Sequence, residues 1–228
     1  MDSVAQLKET LAMGSRILAN EGLAQGFGHI SVRIPGTDRF LIPRSMSPAL
    51  VQPEDILTFN LAGQKIEGEK QPNSETWIHT CIYRARSDVM CVAHTHPPVT
   101  TTLASAGIEI KPLHNFGAVF PEGVRIFMKP GLINTEALGT EMAEALGESD
   151  GLMLRGHGAV TVGPNIKDAV LLSIYLEEAA QMQFQANLLG SLLFYSKEEA
   201  LMIKGQIFHE GRTKDRAWEF YVEKLPKS

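Results

Sequence analysis

The segment His94-Thr95-His96 puts two imidazoles on one face of an extended chain, because residues i and i+2 of a strand project together. Their separation of roughly 6–7 Å suits two ligands of a single ion. Pro97 and Pro98 follow directly and fix where such a strand ends. The alternative is a pair of surface or hydrogen-bonded histidines. A third histidine, His157, lies between Gly156 and Gly158 after the apolar run 151–154. Glycines there allow turn geometry and bring the imidazole close to other segments, although a plain tight turn would also place a histidine there. Three neutral imidazoles leave a coordination position open, which is the pattern of catalytic rather than structural zinc.

Glu75 is the candidate acid/base. It follows Pro72-Asn73-Ser74, a helix entry with Ser74 or Asn73 as cap, and so is expected in the first helical turn. The positive helix end there favours the ionised carboxylate, which is also the ordinary reason to find a glutamate in a first turn. His79, one turn later on the same face, is either a neighbour of the site or a buried, hydrogen-bonded residue. The Gly-rich turn 26–31 could cradle an anion with its backbone N–H groups, or merely join a helix to a strand.

Positioning these residues requires several elements. Apolar residues at helical spacing predict a helix over 4–20, with Gly22 as its stop. Residues 30–33 and 40–42 read as a hairpin around the turn 35–38, and 56–59 as a further strand. A helix is expected to about Ala85, a buried strand over 89–95, and a short helix near 100–106. Strands are expected at 108–110 and 124–126, and a helix over 135–146. The strands 151–154 and 159–162 flank His157, and the longest helix spans 166–188. Cys91 should point away from His94 and His96 into the core. The fold class is α/β, a single domain over 1–228 without regular strand–helix alternation.

The chain has 228 residues and a formal net charge of −5, with no concentration of Lys and Arg, which argues against nucleic acid as a partner. Arg84 and Arg86, the longest basic grouping, are expected to face solvent. No run of about 18 apolar residues is present, so no membrane span is expected. The start Met1-Asp2-Ser3-Val4 lacks the basic and apolar character of a signal peptide. Two cysteines, Cys81 and Cys91, are too few for a disulfide framework and are read as reduced, which points to the cytoplasm.

The Gly28-His29-Ile30-Ser31 turn, the Ser74-Glu75 helix start, His94-Thr95-His96 and Arg155-Gly156-His157-Gly158 occur in a distinctive order. Together they make the chain resemble the class II aldolase/adducin family, over about residues 5–190. The resemblance implies a three-layer α/β/α fold around a largely antiparallel sheet. It implies a divalent ion, zinc or in some members manganese, on His94, His96 and His157, and a catalytic acid/base at Glu75. Gly28, His29, Arg44, Ser45 and Ser74 fall at substrate-binding positions. The family is typically homotetrameric, with sites at subunit interfaces, where His209 or Tyr221 of a neighbour could contribute.

Two departures bear on the substrate. Sugar-phosphate aldolases of the family usually carry Asn where this chain has His29, and Thr-Gly where it has Arg44-Ser45. A guanidinium suits a carboxylate through bidentate hydrogen bonds, unless it merely forms a surface salt bridge. The pattern is similar to family members that decarboxylate hydroxylated aromatic acids. The leading expectation is a metal-dependent decarboxylase of a hydroxylated, including aromatic, acid. An aldolase on a hydroxy-keto compound, a dehydratase or epimerase, and a non-catalytic adducin-like scaffold are the alternatives. Trp77 and Trp218 are read as packing residues, and His114 as either pocket-lining or structural.

Overall fold

The computed structural model describes residues 3–209 and 212–226; Met1 and Asp2, part of the leader reading, lie outside them. Eight strands form one sheet among the described residues: β1 (His29–Arg33), β2 (Arg39–Pro43), β3 (Ile56–Asn60), β4 (Lys65–Glu67), β5 (Cys91–Thr95), β6 (Ile126–Phe127), β7 (Gly151–Leu154) and β8 (Gly158–Gly163). Their order is β4-β3-β2-β1-β5-β8-β7-β6. Every pairing is antiparallel except β6 with β7.

Seven helices accompany the sheet among the described residues: α1 (Val4–Asn20), α2 (Thr76–Ala85), α3 (Pro98–Ser105), α4 (Glu136–Leu146), α5 (Ile166–Asn187), α6 (Lys197–Ile207) and α7 (Arg212–Glu223). Strand alternation divides the apolar side chains into two cores. On one face, Phe40, Ile42, Val92 and Val160 of the sheet pack with Ile78 and Ile82 of α2 and Met142 of α4. On the other, Ile30, Leu41, Cys91 and Ala93 pack with Leu11 of α1, Leu103 of α3 and Leu172 of α5. The result is the expected α/β/α layering. Both cysteines are free and buried, and Cys91 faces the core opposite His94.

Capping explains where the helices begin. Ser3 accepts from Gln6 N–H while the Gln6 side chain returns to the Ser3 backbone, so α1 starts at Val4. Asn165 accepts from Asp168 N–H at the start of α5.

The structure corrects several expectations. Helix α2 begins at Thr76, so Glu75 is the N-cap residue rather than part of the first turn, and its side chain makes no cap hydrogen bond. Of the strand expected at 108–110, only Ile110 pairs, in a single bridge to Val124, and β6 starts at Ile126. Arg86 is not simply solvent-facing: it pairs with Asp88 at 2.7 Å and donates to the Gly147 carbonyl at 2.7 Å. Helices α6 and α7 were not anticipated. Trp77 packs under the Arg84 guanidinium, and Trp218 packs partly buried against the first core.

Candidate metal centre and cleft

The central strands β1, β5 and β8 bring the chemistry-bearing residues to one end of the sheet. His29 lies directly opposite His94 in the β1–β5 register, with ring centroids 5.1 Å apart. His96 follows β5, and its N–H donates to the Leu23 carbonyl at 2.7 Å. The turn between β7 and β8 carries His157, whose ring centroid lies 4.8 Å from that of His94 and 5.3 Å from that of His96.

Two glycines make this approach possible. Gly158 is buried against the partner strand so tightly that a Cβ would lie 2.2 Å from the Thr95 carbonyl oxygen and 2.8 Å from His96 Cδ2. Gly28 has φ of +105°, and a Cβ on it would stand 2.9 Å from the His94 carbonyl oxygen.

The three histidines fit a divalent ion. His94 Nε2 and His96 Nε2 are 3.1 Å apart, close to the roughly 3.3 Å between two nitrogens that share a tetrahedral ion at about 2.0–2.1 Å. A ligating nitrogen of His157 lies within 4.8 Å of both. His94 Nδ1 donates to the Ala159 carbonyl at 3.1 Å, so the lone pair of this imidazole sits on Nε2, facing its neighbours. Burial, and then neighbouring His29 and His96, push the His94 imidazole well below its ordinary pKa; burial and His157 lower that of His96. Both are therefore neutral, as ligation requires.

Glu75 is buried beside this trio. Its Oε2 lies 3.6 Å from His157 Nε2 and 3.8 Å from His94 Nε2, and its Oε1 accepts from Ile133 N–H at 2.8 Å. Burial alone would raise its carboxyl. The polar groups that face it, the His157 and His94 rings and the donating Ile133 N–H, outweigh that and keep it below the usual carboxylate range.

A cleft of about 530 Å³ opens over these groups. Glu75, His96 and His157 line its floor, and Gly28, His29, Ser45 and Ser74 line its walls. Three loops are tied together around it: Ser47 Oγ donates to the Gln25 carbonyl, Ser45 N–H to the Gln71 carbonyl, and the Asn73 amide to the Pro43 carbonyl. Met46, Ser47, Asn73 and Leu132 also line the cleft and were not foreseen there. Asn73 carries only the signal of a helix cap. Leu132 and the Ile133 N–H carry no signal in their residue types.

Arg44 requires a correction. It was expected to grip substrate, but it does not line the cleft; its Nε donates to Asp55 Oδ1 at 2.8 Å, and Lys70 reaches the same oxygen at 2.8 Å. The Arg44 N–H continues the β2–β3 ladder by bonding the Asp55 carbonyl, which places its side chain beside that acid. His79 is buried and hydrogen-bonded, and one of its two partners is His29 of the cleft wall. His114, His209 and Tyr221 do not line the cleft within the chain. The Tyr221 ring is instead part of the first core, and burial pushes the His114 imidazole down.

Residues 9–184 match the profile of the family described as Class II Aldolase and Adducin N-terminal domain. The chain is 31% identical over 206 residues to a 3,4-dihydroxyphthalate decarboxylase of Arthrobacter keyseri, covering 83% of this chain and 82% of that protein. It is 29% identical over 195 residues to a 5-deoxy-D-ribulose 1-phosphate aldolase of Bacillus thuringiensis, covering 84% and 90%. Among solved structures, an L-fuculose 1-phosphate aldolase superposes with a TM-score of 0.83 at 24% identity, covering 92% of this chain and 99% of the other. The chain belongs to the class II aldolase and adducin family. Its relatives carry lyase names of both kinds, and it is a metal-dependent carbon–carbon lyase.

Proposed function

We propose that the chain decarboxylates a hydroxylated, including aromatic, carboxylic acid, using a divalent ion held by His94, His96 and His157. When bound, zinc or manganese there supplies Lewis-acid stabilisation of the negative charge that develops as a carbon–carbon bond breaks. Glu75, ionised in the free site, takes the proton of a substrate hydroxyl and returns it to the carbon that loses the carboxyl group as CO2; its carboxylate borders the cleft and is held in place by the Ile133 N–H. His29 and the hydroxyls of Ser45 and Ser74 orient the substrate, and Gly28 lets the backbone approach it.

The observation that carries this reading is His29. It replaces a small amide with an imidazole at the cleft wall, beside the trio, in a chain whose relatives include a decarboxylase of a dihydroxylated aromatic acid. One observation favours the aldolase alternative: Arg44, the expected carboxylate clamp, is engaged with Asp55. Both readings share Glu75 and the three histidines.

The protein is further proposed to act as a cytoplasmic homotetramer with sites near subunit contacts. Free, buried cysteines support the compartment. The strongly exposed Leu188, Leu189 and Leu193, just beyond α5, support association. No helix among the described residues is long and apolar enough to cross a membrane.

The test is a screen of metal-loaded protein against hydroxylated aromatic acids and small hydroxy-keto acids, following CO2 and aldehyde. Metal-dependent CO2 release supports the decarboxylase. Aldehyde without CO2 replaces it with the aldolase.

A further inference from the structure

Behind the cleft wall, a row of buried polar side chains runs between β1 and α2. His29 Nδ1 lies 2.6 Å from His79 Nε2; His79 Nδ1 lies 2.6 Å from Ser31 Oγ; Ser31 Oγ lies 2.7 Å from the Tyr83 hydroxyl. Ser31 and His79 are fully buried and Tyr83 is 2% exposed. None of these three lines the cleft, and the proposed chemistry uses none of them.

The far end of the row fixes where its hydrogens sit. Among the described residues, the hydrogen-bond partner of the Tyr83 hydroxyl is Ser31 Oγ, and a phenolic hydrogen buried there needs an acceptor. The acceptor facing that hydrogen is Ser31 Oγ. Having accepted from Tyr83, Ser31 directs its own hydrogen to His79 Nδ1. His79 therefore carries its hydrogen on Nε2 and donates it to His29 Nδ1. His29 is left with its hydrogen on Nε2, the nitrogen on the cleft side. Reversing the row, or adding a second proton to His79, would leave the hydrogen of either Tyr83 or Ser31 buried without an acceptor. Tyr83 itself is held firmly: the Arg33 guanidinium lies 4.8 Å from its ring centroid, the Phe40 ring lies 5.2 Å away, and Arg33 donates to the Tyr83 carbonyl at 2.6 Å.

We propose that Tyr83, Ser31 and His79 are positioning residues that lock His29 as a neutral Nε2–H donor for an anionic oxygen of the substrate. A ring nitrogen of His29 also lies within 4.8 Å of ligand atoms of Glu75 and His94, a grouping that could in itself hold a cation. The lock removes His29 from that role, since its lone pair is spent at Nδ1 on His79. For the same reason His29 does not serve as the base. The identity of the anionic oxygen as a carboxylate rests on the function proposed above; the tautomer does not.

The test uses the full chain, metal-loaded and labelled with 15N-histidine, read by long-range 1H–15N spectra. His29→Asn and His79→Gln assign the two rings. The lock predicts Nε2-protonated rings at both positions. Tyr83→Phe and Ser31→Ala should leave metal content unchanged, let His29 populate both tautomers, and raise KM about tenfold with a smaller loss in kcat. A wild-type His29 protonated on Nδ1 overturns the proposal, as does 15N–113Cd coupling to His29 in cadmium-loaded protein. An unchanged His29 tautomer in both variants also overturns it. If the tautomers respond as stated but no hydroxylated acid is turned over, the lock stands and the substrate reading falls.

Discussion

Replacing Gly158 with alanine should dislodge the metal centre without replacing a ligand. The added Cβ would sit 2.2 Å from the Thr95 carbonyl oxygen, where contacts under 3.0 Å are essentially never seen, and 2.8 Å from His96 Cδ2. Both neighbours are rigid. Thr95 is paired with Ala159 in the β5–β8 ladder, and the His96 N–H is bonded to the Leu23 carbonyl. Relief requires β5 and β8 to separate by about 1 Å at their shared end, an overpacking cost of about 1–3 kcal/mol. The same shift moves His96 by several times the roughly 0.2 Å that ligand distances tolerate. Metal affinity should fall about 10–100-fold or more, the scale seen when metal-site geometry is disturbed. Activity at saturating metal should fall on the order of 100-fold. Competition against a fluorescent chelator gives the affinity, and melting with and without metal separates instability from loss of the site. A Gly158→Ala protein that binds metal as tightly as wild type would refute the claim that the β8 glycine sets the position of His96.

Further outcomes follow from other contacts. Glu75→Gln should retain its metal, because the three imidazoles remain, but lose turnover by about 10²–10⁴-fold in the product assay; full activity would remove Glu75 from the proton step. Asp55, whose carboxyl is held at about 2 chiefly by Lys70 and Arg44 against its burial, contributes stability above the normal carboxylate range. That contribution should disappear as pH falls from about 4 to about 2. Asp55→Asn should cost about 2 kcal/mol at neutral pH, or about 4–8 °C in Tm, with little change in KM; a large KM effect would return Arg44 to the cleft. Glu177 is buried and accepts from Val99 N–H, Thr100 N–H and Thr100 Oγ at the start of α3, just beyond His96. Glu177→Gln replaces one acceptor oxygen with a donor facing N–H groups, and should lower stability by about 1–3 kcal/mol in chemical denaturation.

Much of the fold was legible because its signals are local. Helix α1 carries its cap in Ser3 and Gln6, and α5 carries its cap in Asn165, so their starts could be read from residue types. The His-x-His pair needed only strand alternation. The start of α2 was misplaced because Asn73 and Ser74 looked like caps. Their loop is tied instead to β2 through Pro43, and a distant backbone group, Ile133 N–H, occupies the Glu75 carboxylate. Helix α6 was missed although Ser196 and Glu199 form a capping box, a signal available in the sequence. Arg44 was misassigned because residue type reports what a guanidinium can bind, not which of two acids is nearer. Asp55 is eleven residues away along the chain yet 2.8 Å away in space. The His29–His79–Ser31–Tyr83 row depends on β1 packing against α2, and no spacing rule links residues some fifty positions apart.

The central claim, one divalent ion on three imidazoles, is tested most directly by metal analysis combined with X-ray absorption at the metal edge. For zinc, the account predicts one ion per chain with three imidazole nitrogens at about 2.0–2.1 Å, a light-atom fourth neighbour, and no sulfur. His94→Ala, His96→Ala and His157→Ala should each lose the stoichiometric ion. Protein that carries only trace metal after growth and purification with zinc or manganese, or a spectrum showing sulfur ligation by Cys81 or Cys91, would contradict it.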